Sequence, residues 1–184
     1  MTLKSTSTGY GRVAQGLHWA SALLILTLIP MGFWMTSVAE ADKLPIYRMH
    51  AVLGILVLLL TLARLAWRWF EPSPAPPPGL TGGKLLAFKG IHVLLYLALL
   101  VLTISGIGLN LTSGLSDILF GGAPGPIPDD FSQYTPRAVH GLMARVYIGL
   151  LVAHIGGVIT YQMSEGDTLG RMGLGGWVPS PKPE

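Results

Sequence analysis

The chain has no cysteine and few charged residues. Only 11% of its 184 residues are charged and 51% are apolar, whereas a soluble domain carries about 25% charged residues. Without cysteine the protein cannot form disulfides, zinc–thiolate sites, cysteine-ligated iron–sulfur clusters or covalently attached c-type haem. The shortage of charge predicts an integral membrane protein, and the length predicts a single domain over residues 1–184.

Long apolar segments dominate the sequence. About 20 helical residues cross ~30 Å of hydrocarbon, and four segments reach that length. They cover approximately residues 13–38, 45–70, 85–111 and 136–163. Because barrel strands would be shorter and would alternate in polarity, we predict an all-α, integral membrane four-helix bundle. A proline-rich link at 71–83 and a long loop at 113–135 join spans, and the tail after Glu165 is expected to be irregular.

The basic residues predict the orientation of the spans. Lysine and arginine are enriched in cytoplasmic loops, and an internal N-terminus places eight of them on the cytoplasmic side and three on the other. The cytoplasmic set is Lys4, Arg12, Arg64, Arg68, Lys84, Lys89, Arg171 and Lys182, against Lys43, Arg48 and Arg137. Both termini are therefore expected in the cytoplasm. The first span is longer than a secretory signal and is interpreted as an uncleaved helix.

All five histidines lie within spans, and none lies in a long loop. His140 and His154 are fourteen residues apart, so they share one helix face about 21 Å apart along the axis. Depth pairs His50 with His140 near the outer side of the membrane. On the inner side, His154 is paired with either His18 or His92. A lone histidine at a helix end is usually an interfacial polar residue, but the joint pattern favours two ligand sites.

Two histidines per site favour haem iron with two axial imidazoles. The predicted spans contain no Asp or Glu, which zinc sites without cysteine usually add to histidine. The core of a helix bundle is a common position for such a cofactor. Since two protein ligands leave iron no open position, the pattern favours electron transfer over oxygen binding.

Two arginines are candidate partners of haem propionates. Arg64 lies fourteen residues after His50 and reaches the depth of the inner site, although a positive-inside anchor is an equal alternative. Arg145 lies five residues after His140 and is deeper in its span. Glycines near the histidines are interpreted mainly as sites of close helix packing; these are Gly54, Gly141, Gly156 and Gly157.

Four motifs follow one another along nearly the whole chain. They are Gly16-Leu17-His18-Trp19, then Met49 to Gly54 with Arg64-Leu65, then Gly90 to Tyr96, and finally His140 with Gly149 to His154. Their order and spacing resemble the bacterial cytochrome b561 family. The resemblance implies a di-haem b bundle in the bacterial inner membrane. It implies that His18 and His154 ligate the inner haem and that His50 and His140 ligate the outer one, with His92 beside the inner haem or a quinone.

The resemblance also implies a function. Electrons would be exchanged between membrane quinone, such as ubiquinone, and an outer-face partner, either superoxide or a periplasmic redox protein. The chain would then be an oxidoreductase such as a superoxide:ubiquinone oxidoreductase. Membrane lipid and a possible second copy are the other expected partners, and no nucleic acid is expected. Candidate residues near an inner quinone site are Tyr10, Lys89, His92 and Arg171.

Two other functions are compatible with the sequence. The chain could be a cytochrome b membrane anchor that receives electrons from a hydrogenase or dehydrogenase, docking through the loop at 113–135. A transporter or structural membrane protein without haem is disfavoured, because the spans lack the carboxylates of an ion relay.

Overall fold

A computed structural model describes residues 3–71 and 73–175. Its six helices are α1 (Arg12–Trp34), α2 (Glu40–Phe70), α3 (Gly82–Thr112), α4 (Leu115–Leu119), α5 (Thr135–Ser164) and α6 (Thr168–Arg171). The described residues contain no strand, so the all-α prediction is confirmed. Four helices, α1, α2, α3 and α5, are long and apolar enough to cross a membrane, and they correspond to the four predicted spans.

Two helix boundaries differ from the prediction by four residues or more. α1 ends at Trp34 rather than Val38, because the Thr36 hydroxyl donates to the Phe33 carbonyl and Ser37 to the Trp34 carbonyl. Such local bonds compete with continued helix. α2 begins at Glu40, five residues earlier than predicted, with Glu40 and Asp42 in its first turn. Acidic side chains are favourable there because the N-terminal end of a helix carries partial positive charge.

Two short helices were missed. α4 lies in the predicted loop and α6 in the predicted irregular tail, and neither is long enough to show helical periodicity. The Asp167 side chain caps α6 by accepting a hydrogen bond from the Gly170 N–H at 2.7 Å. The prediction of an irregular tail is therefore wrong at Thr168–Arg171. Beyond residue 175 the tail lies outside the described residues.

The chain divides into two compact units. The first comprises Met1–Ala20, Leu62–Tyr96 and Ile148–Glu184, and the second comprises Ser21–Thr61 and Leu97–Tyr147. Each unit therefore takes one part of each long helix.

The second unit has an apolar core built partly from the long loop. Tyr47 of α2 packs with Leu115, Leu119, Ile127 and Phe131. Leu119 is only 1% exposed, and burying a side chain of this size stabilises a fold by roughly 1.5–3 kcal/mol. The loop that the sequence suggested as a docking surface thus buries much of its apolar surface in its own unit.

In the first unit, Glu71 joins the N-terminal segment to the end of α2. Its carboxylate accepts hydrogen bonds from the Ser5 backbone N–H, from the Ser5 hydroxyl at 3.0 Å and from the Trp67 indole at 2.7 Å. Burial raises the pKa of Glu71, but these donors outweigh it and hold the pKa below its ordinary value. The Trp19 indole similarly donates to the Met172 carbonyl at 2.9 Å.

The long helices expose large apolar side chains along their middle turns. Leu23, Leu59 and Val152, one each on α1, α2 and α5, are 68%, 57% and 66% exposed. A soluble protein would bury such surface, whereas lipid tails cover it at no cost. Together with the length and composition of the four long helices, this exposure indicates that the protein is a membrane protein.

Candidate functional site

The structure gathers the five histidines into two sets, one in each unit. His50 of α2 and His140 of α5 form one set in the second unit, here called the His50 pair. The first unit holds the His18 cluster, which consists of His18, His92 and His154.

The His50 pair has the spacing of two rings that share one metal ion. Its ring centres are 6.3 Å apart and the ring planes are inclined at 73°. A metal–imidazole bond is about 2 Å long and the ring nitrogen lies about 1 Å from the ring centre, so two imidazoles on opposite sides of one metal have centres about 6 Å apart. The observed distance satisfies this condition without movement of either helix.

The His140 ring is held in the tautomer that a metal ligand needs. Its Nδ1 lies 2.9 Å from the Leu102 carbonyl oxygen and 3.5 Å from the hydroxyl of the buried Ser105. Because a carbonyl only accepts, Nδ1 is assigned the proton and Nε2 keeps its lone pair. Metal-binding histidines usually donate their other ring N–H in this way.

Two glycines on neighbouring helices let both rings fit. A Cβ on Gly32 of α1 would lie 3.1 Å from Cε1 of His50, and a Cβ on Gly106 of α3 would lie 3.1 Å from Cε1 of His140. These distances are at the lower limit of contact, so any larger residue would press on the rings. Neither glycine neighbours a histidine in the sequence, and the sequence analysis therefore missed both.

The predicted role of the glycines nearest the histidines is wrong at three positions. A Cβ on Gly54, Gly156 or Gly157 would meet no described atom within 4 Å, so no close helix packing occurs there. Gly54 instead leaves open space one helical turn after His50. The Nδ1 of His50 is also buried without a hydrogen-bond partner among the described residues. The open space at Gly54 and the unpartnered nitrogen of His50 are each compatible with a bound group at the His50 pair.

In the His18 cluster, the two ring distances differ. The His154 ring centre lies 6.5 Å from that of His18 and 5.1 Å from that of His92. The first distance is compatible with two imidazoles on opposite sides of one metal, and the second is too short for that arrangement. His18 and His92 both lie in the same unit as His154. Depth therefore does not decide which of them pairs with His154, and the ring distances have to be compared.

Arg64 contacts His18 directly. Its Nη2 lies 3.1 Å from Nδ1 of His18, and its guanidinium lies over the Tyr96 ring at 5.2 Å. Since a guanidinium only donates, Nδ1 of His18 accepts and its proton is on Nε2. A metal bond through Nε2 therefore requires that proton to leave and Arg64 to release Nδ1. The change therefore needs a new rotamer of the flexible Arg64 side chain and a shift of the His18 proton from Nε2 to Nδ1.

His92 has the opposite proton arrangement. Its Nδ1 lies 2.6 Å from the Phe88 carbonyl oxygen, one turn earlier on α3. The proton is therefore assigned to Nδ1, and Nε2 keeps a free lone pair. The Phe88 ring packs against the imidazole with ring centres 4.8 Å apart and helps to fix it.

Arg145 lies within α5 and contacts its own helix. Its guanidinium is exposed and donates to the Gly141 carbonyl at 2.9 Å, on its own helix. A Cβ on Gly141 would lie 3.3 Å from Nη1 of Arg137 and 3.5 Å from Nη1 of Arg145. Two guanidinium groups thus flank the residue after His140. The sequence analysis counted Arg137 only among the basic residues of the outer side, although its four-residue spacing from Gly141 placed both on one helix face.

A cavity of about 290 Å³ lies in the first unit. Tyr10 and Arg171, two of the residues proposed for a quinone site, contribute to its wall together with Arg12, Thr6 and Gln15. It offers hydroxyl and guanidinium donors to a polar headgroup.

Comparisons with known proteins cover almost the whole chain. The family model of prokaryotic cytochrome b561 matches residues 9–175. Cytochrome b561 homolog 2 of Escherichia coli K12 is 29% identical over 180 residues, which cover 94% of this chain and 95% of that protein. Cytochrome b561 homolog 1 of the same organism is 29% identical over 164 residues, 85% of this chain and 92% of that protein. Cytochrome b562 of Cereibacter sphaeroides is 33% identical over 112 residues, 58% and 68% of the two chains.

Proposed function

Because the chain belongs to the prokaryotic cytochrome b561 family, we propose that it carries electrons across a membrane through two haem b groups. The family makes it a membrane b-type cytochrome of electron transfer. The observation that carries the proposal is the pair of ring separations, 6.3 Å for His50–His140 and 6.5 Å for His18–His154. Bound haem would supply one-electron redox chemistry at each pair.

His50 and His140 are the proposed ligands of one haem. The free lone pair on Nε2 of His140, the open space at Gly54 and the glycine contacts behind both rings all support this assignment. With an imidazole on each side, the iron would have no position for oxygen. The residues therefore favour outer-sphere electron transfer over oxygen chemistry.

His18 and His154 are the proposed ligands of the other haem. His92 is the competing partner of His154, and its Nε2 is already free of a proton. However, α3 and α5 would have to separate before His92 and His154 could bind opposite sides of one iron. Ligation by His18 needs a rotamer change of Arg64 and a shift of the His18 proton from Nε2 to Nδ1. Neither change separates two helices, so this is the smaller cost.

Three arginines are proposed to neutralise haem propionates. Arg64 beside His18 would serve one haem, and Arg137 and Arg145 beside His140 would serve the other. Guanidinium groups form strong paired hydrogen bonds with carboxylates. Propionates buried near a membrane need such partners or contact with water.

The proposed redox partners are membrane quinone and a donor or acceptor on the outer face. The excess of basic residues on one side supports cytoplasmic termini and an inner-membrane location. The cavity of Tyr10 and Arg171 is the proposed quinone site. On the other side, the proposed partner is superoxide or a periplasmic redox protein. The alternative role as an anchor subunit gains no specific support, because the loop at 113–135 packs into its own unit.

A reduced-minus-oxidised absorption spectrum with haem quantified per chain tests the proposal. Two haems per chain are expected, one lost in His50→Leu or His140→Leu and the other lost in His18→Leu or His154→Leu. Val152→Ala, at an exposed position of α5 two residues before His154, is the matched control and should keep both haems. A wild-type protein with no haem or a single haem would refute the two-haem proposal.

A further inference from the structure

His92 is not one of the proposed haem ligands, yet its ring is held in one orientation. Its Nδ1–H donates to the Phe88 carbonyl at 2.6 Å, and the Phe88 ring packs on it at 4.8 Å. These two contacts leave Nε2 as an acceptor.

The rings of His92 and His154 contact each other edge to face, and their centres are close enough for a hydrogen bond to form between the two imidazoles. An N–H···N bond is about 3 Å long, and each ring adds about 1 Å from nitrogen to ring centre, which gives about 5 Å between centres. The observed separation is 5.1 Å with the ring planes at 85°. In contrast, the 6.5 Å between His154 and His18 matches two rings with a metal between them. The two neighbours of His154 therefore have separations suited to different roles.

A histidine that binds iron through Nε2 carries its remaining proton on Nδ1 and needs an acceptor for it. We propose that Nε2 of His92 accepts the Nδ1–H of His154. This inference rests on the proposed ligation of one haem by His18 and His154. Two successive hydrogen bonds, from His154 to His92 and from His92 to the Phe88 carbonyl, would then hold the ligand ring of His154 in one orientation. They would also increase the electron density on the ligand nitrogen, since a hydrogen bond to Nδ1–H raises the basicity of Nε2.

The consequence is a lower reduction potential for that haem. A more basic ligand stabilises the ferric state over the ferrous state. His92 is thus a positioning and tuning residue rather than a ligand. The haem of the His50 pair has a different acceptor, the Leu102 carbonyl, so the two haems would be tuned by different groups.

A redox titration of the purified di-haem protein tests the inference with two variants. His92→Leu removes the acceptor, and His92→Gln keeps an acceptor oxygen at a similar reach. Both haems should be retained in both variants. The Leu variant should raise the midpoint potential of one haem by about 59 mV. For one electron, this shift is a change of about tenfold in the reduced-to-oxidised ratio. The Gln variant should recover part of that shift, and the other midpoint should not change. Val93→Ala, at the adjacent exposed position, is the control.

The possible outcomes separate this inference from the proposed function. Two retained haems with unchanged midpoints in His92→Leu would overturn the tuning role and leave the ligand assignment intact. A different outcome is that both His92 variants lose one haem while His18→Leu retains it. That result would make His92 the ligand, and it would overturn both the tuning role and the proposed ligation by His18. Should the Leu variant fail to fold, pulsed electron paramagnetic resonance of wild-type ferric haem decides. Coupling of the exchangeable Nδ1 proton to a nitrogen acceptor supports the inference, and a carbonyl acceptor overturns it.

Discussion

His140 on α5 donates its Nδ1–H to the Leu102 carbonyl on α3 at 2.9 Å, across a contact that Gly106 makes possible. The bond satisfies a carbonyl of α3 and fixes which nitrogen of His140 is free. Helix packing and ligand chemistry therefore depend on the same few atoms. Changes to the packing should alter the properties of the proposed haem.

Gly106→Ala should weaken haem binding at the His50 pair. The new Cβ would lie 3.1 Å from Cε1 and 3.2 Å from Nδ1 of His140, so the ring must move away from Leu102. Overpacking of this kind costs about 1–3 kcal/mol. Haem content and thermal stability in detergent measure the effect. Gly149→Ala on α5, where a Cβ meets no described atom within 4 Å, is the control and should behave as wild type. Equal haem loss in both variants would contradict the argument.

Arg64→Leu should lower the midpoint potential of the haem proposed to bind at His18 and His154. A guanidinium near the iron favours the reduced state, which carries one positive charge fewer. Its loss should lower the midpoint potential by about 59 mV, which is a change of about tenfold in the reduced-to-oxidised ratio. Arg64→Lys keeps the charge and should retain most of the potential, although it loses the planar contact with Tyr96. A redox titration of both variants decides. An unchanged midpoint in Arg64→Leu would remove the arginine from the haem environment.

The sequence predicted the helices and the histidine sets for a physical reason. Span length is fixed by membrane thickness, and a histidine within a span acquires a depth from its residue number. The partners of the rings were not predictable in this way. Gly32, Gly106 and Leu102 reach the histidines from other helices, and a helix's own sequence does not give its rotation toward its neighbours. Depth along the helices left His18 and His92 as alternatives, and His18 was preferred only because the family resemblance implied it.

Glu71→Gln should destabilise the protein at neutral pH and have less effect in acid. The folded pKa of Glu71 lies below its ordinary value of 4.5, because the Ser5 and Trp67 donors outweigh the burial that raises it. A lowered folded pKa means that the carboxylate stabilises the fold above 4.5, and that this stability is lost as the pH falls through the folded pKa. At pH 7 the expected loss is about 1 kcal/mol, the net value of a hydrogen bond.

Melting curves from pH 7 to pH 3 check the Glu71 prediction. The difference between wild type and Glu71→Gln should narrow as the pH falls. Glu165→Gln is the matched control, because Glu165 pairs with the exposed Lys84 at 2.8 Å. A surface pair of this type contributes little. A Glu71 effect that is constant over the whole pH range would show that the lost group is not the ionised carboxylate.

Leu119→Ala should destabilise the second unit and weaken the binding of the haem proposed at the His50 pair. Leu119 is 1% exposed and packs with Tyr47, which lies three residues before His50 on α2. Truncating a buried leucine costs about 2–5 kcal/mol. The neighbouring Phe120 is 55% exposed, and Phe120→Ala should cost less than about 0.5 kcal/mol. Thermal unfolding with haem absorbance as a second probe compares the two. Loss of the other haem first in Leu119→Ala would contradict the assignment of this core to the His50 pair.

Arg137 and Arg145 should act together on the haem of the His50 pair. Their guanidinium nitrogens would lie 3.3 Å and 3.5 Å from a Cβ on Gly141, so one acidic group placed beside Gly141 can contact both. If that group is a haem propionate, each Gln substitution should lower the midpoint of this haem. The double variant should then differ from the sum of the singles, because the two side chains share one partner. Redox titration of the four proteins gives the coupling. Arg48→Gln, which removes an arginine bound to the Leu119 carbonyl instead, is the control. Additive effects of Arg137 and Arg145 would mean that they serve separate anions.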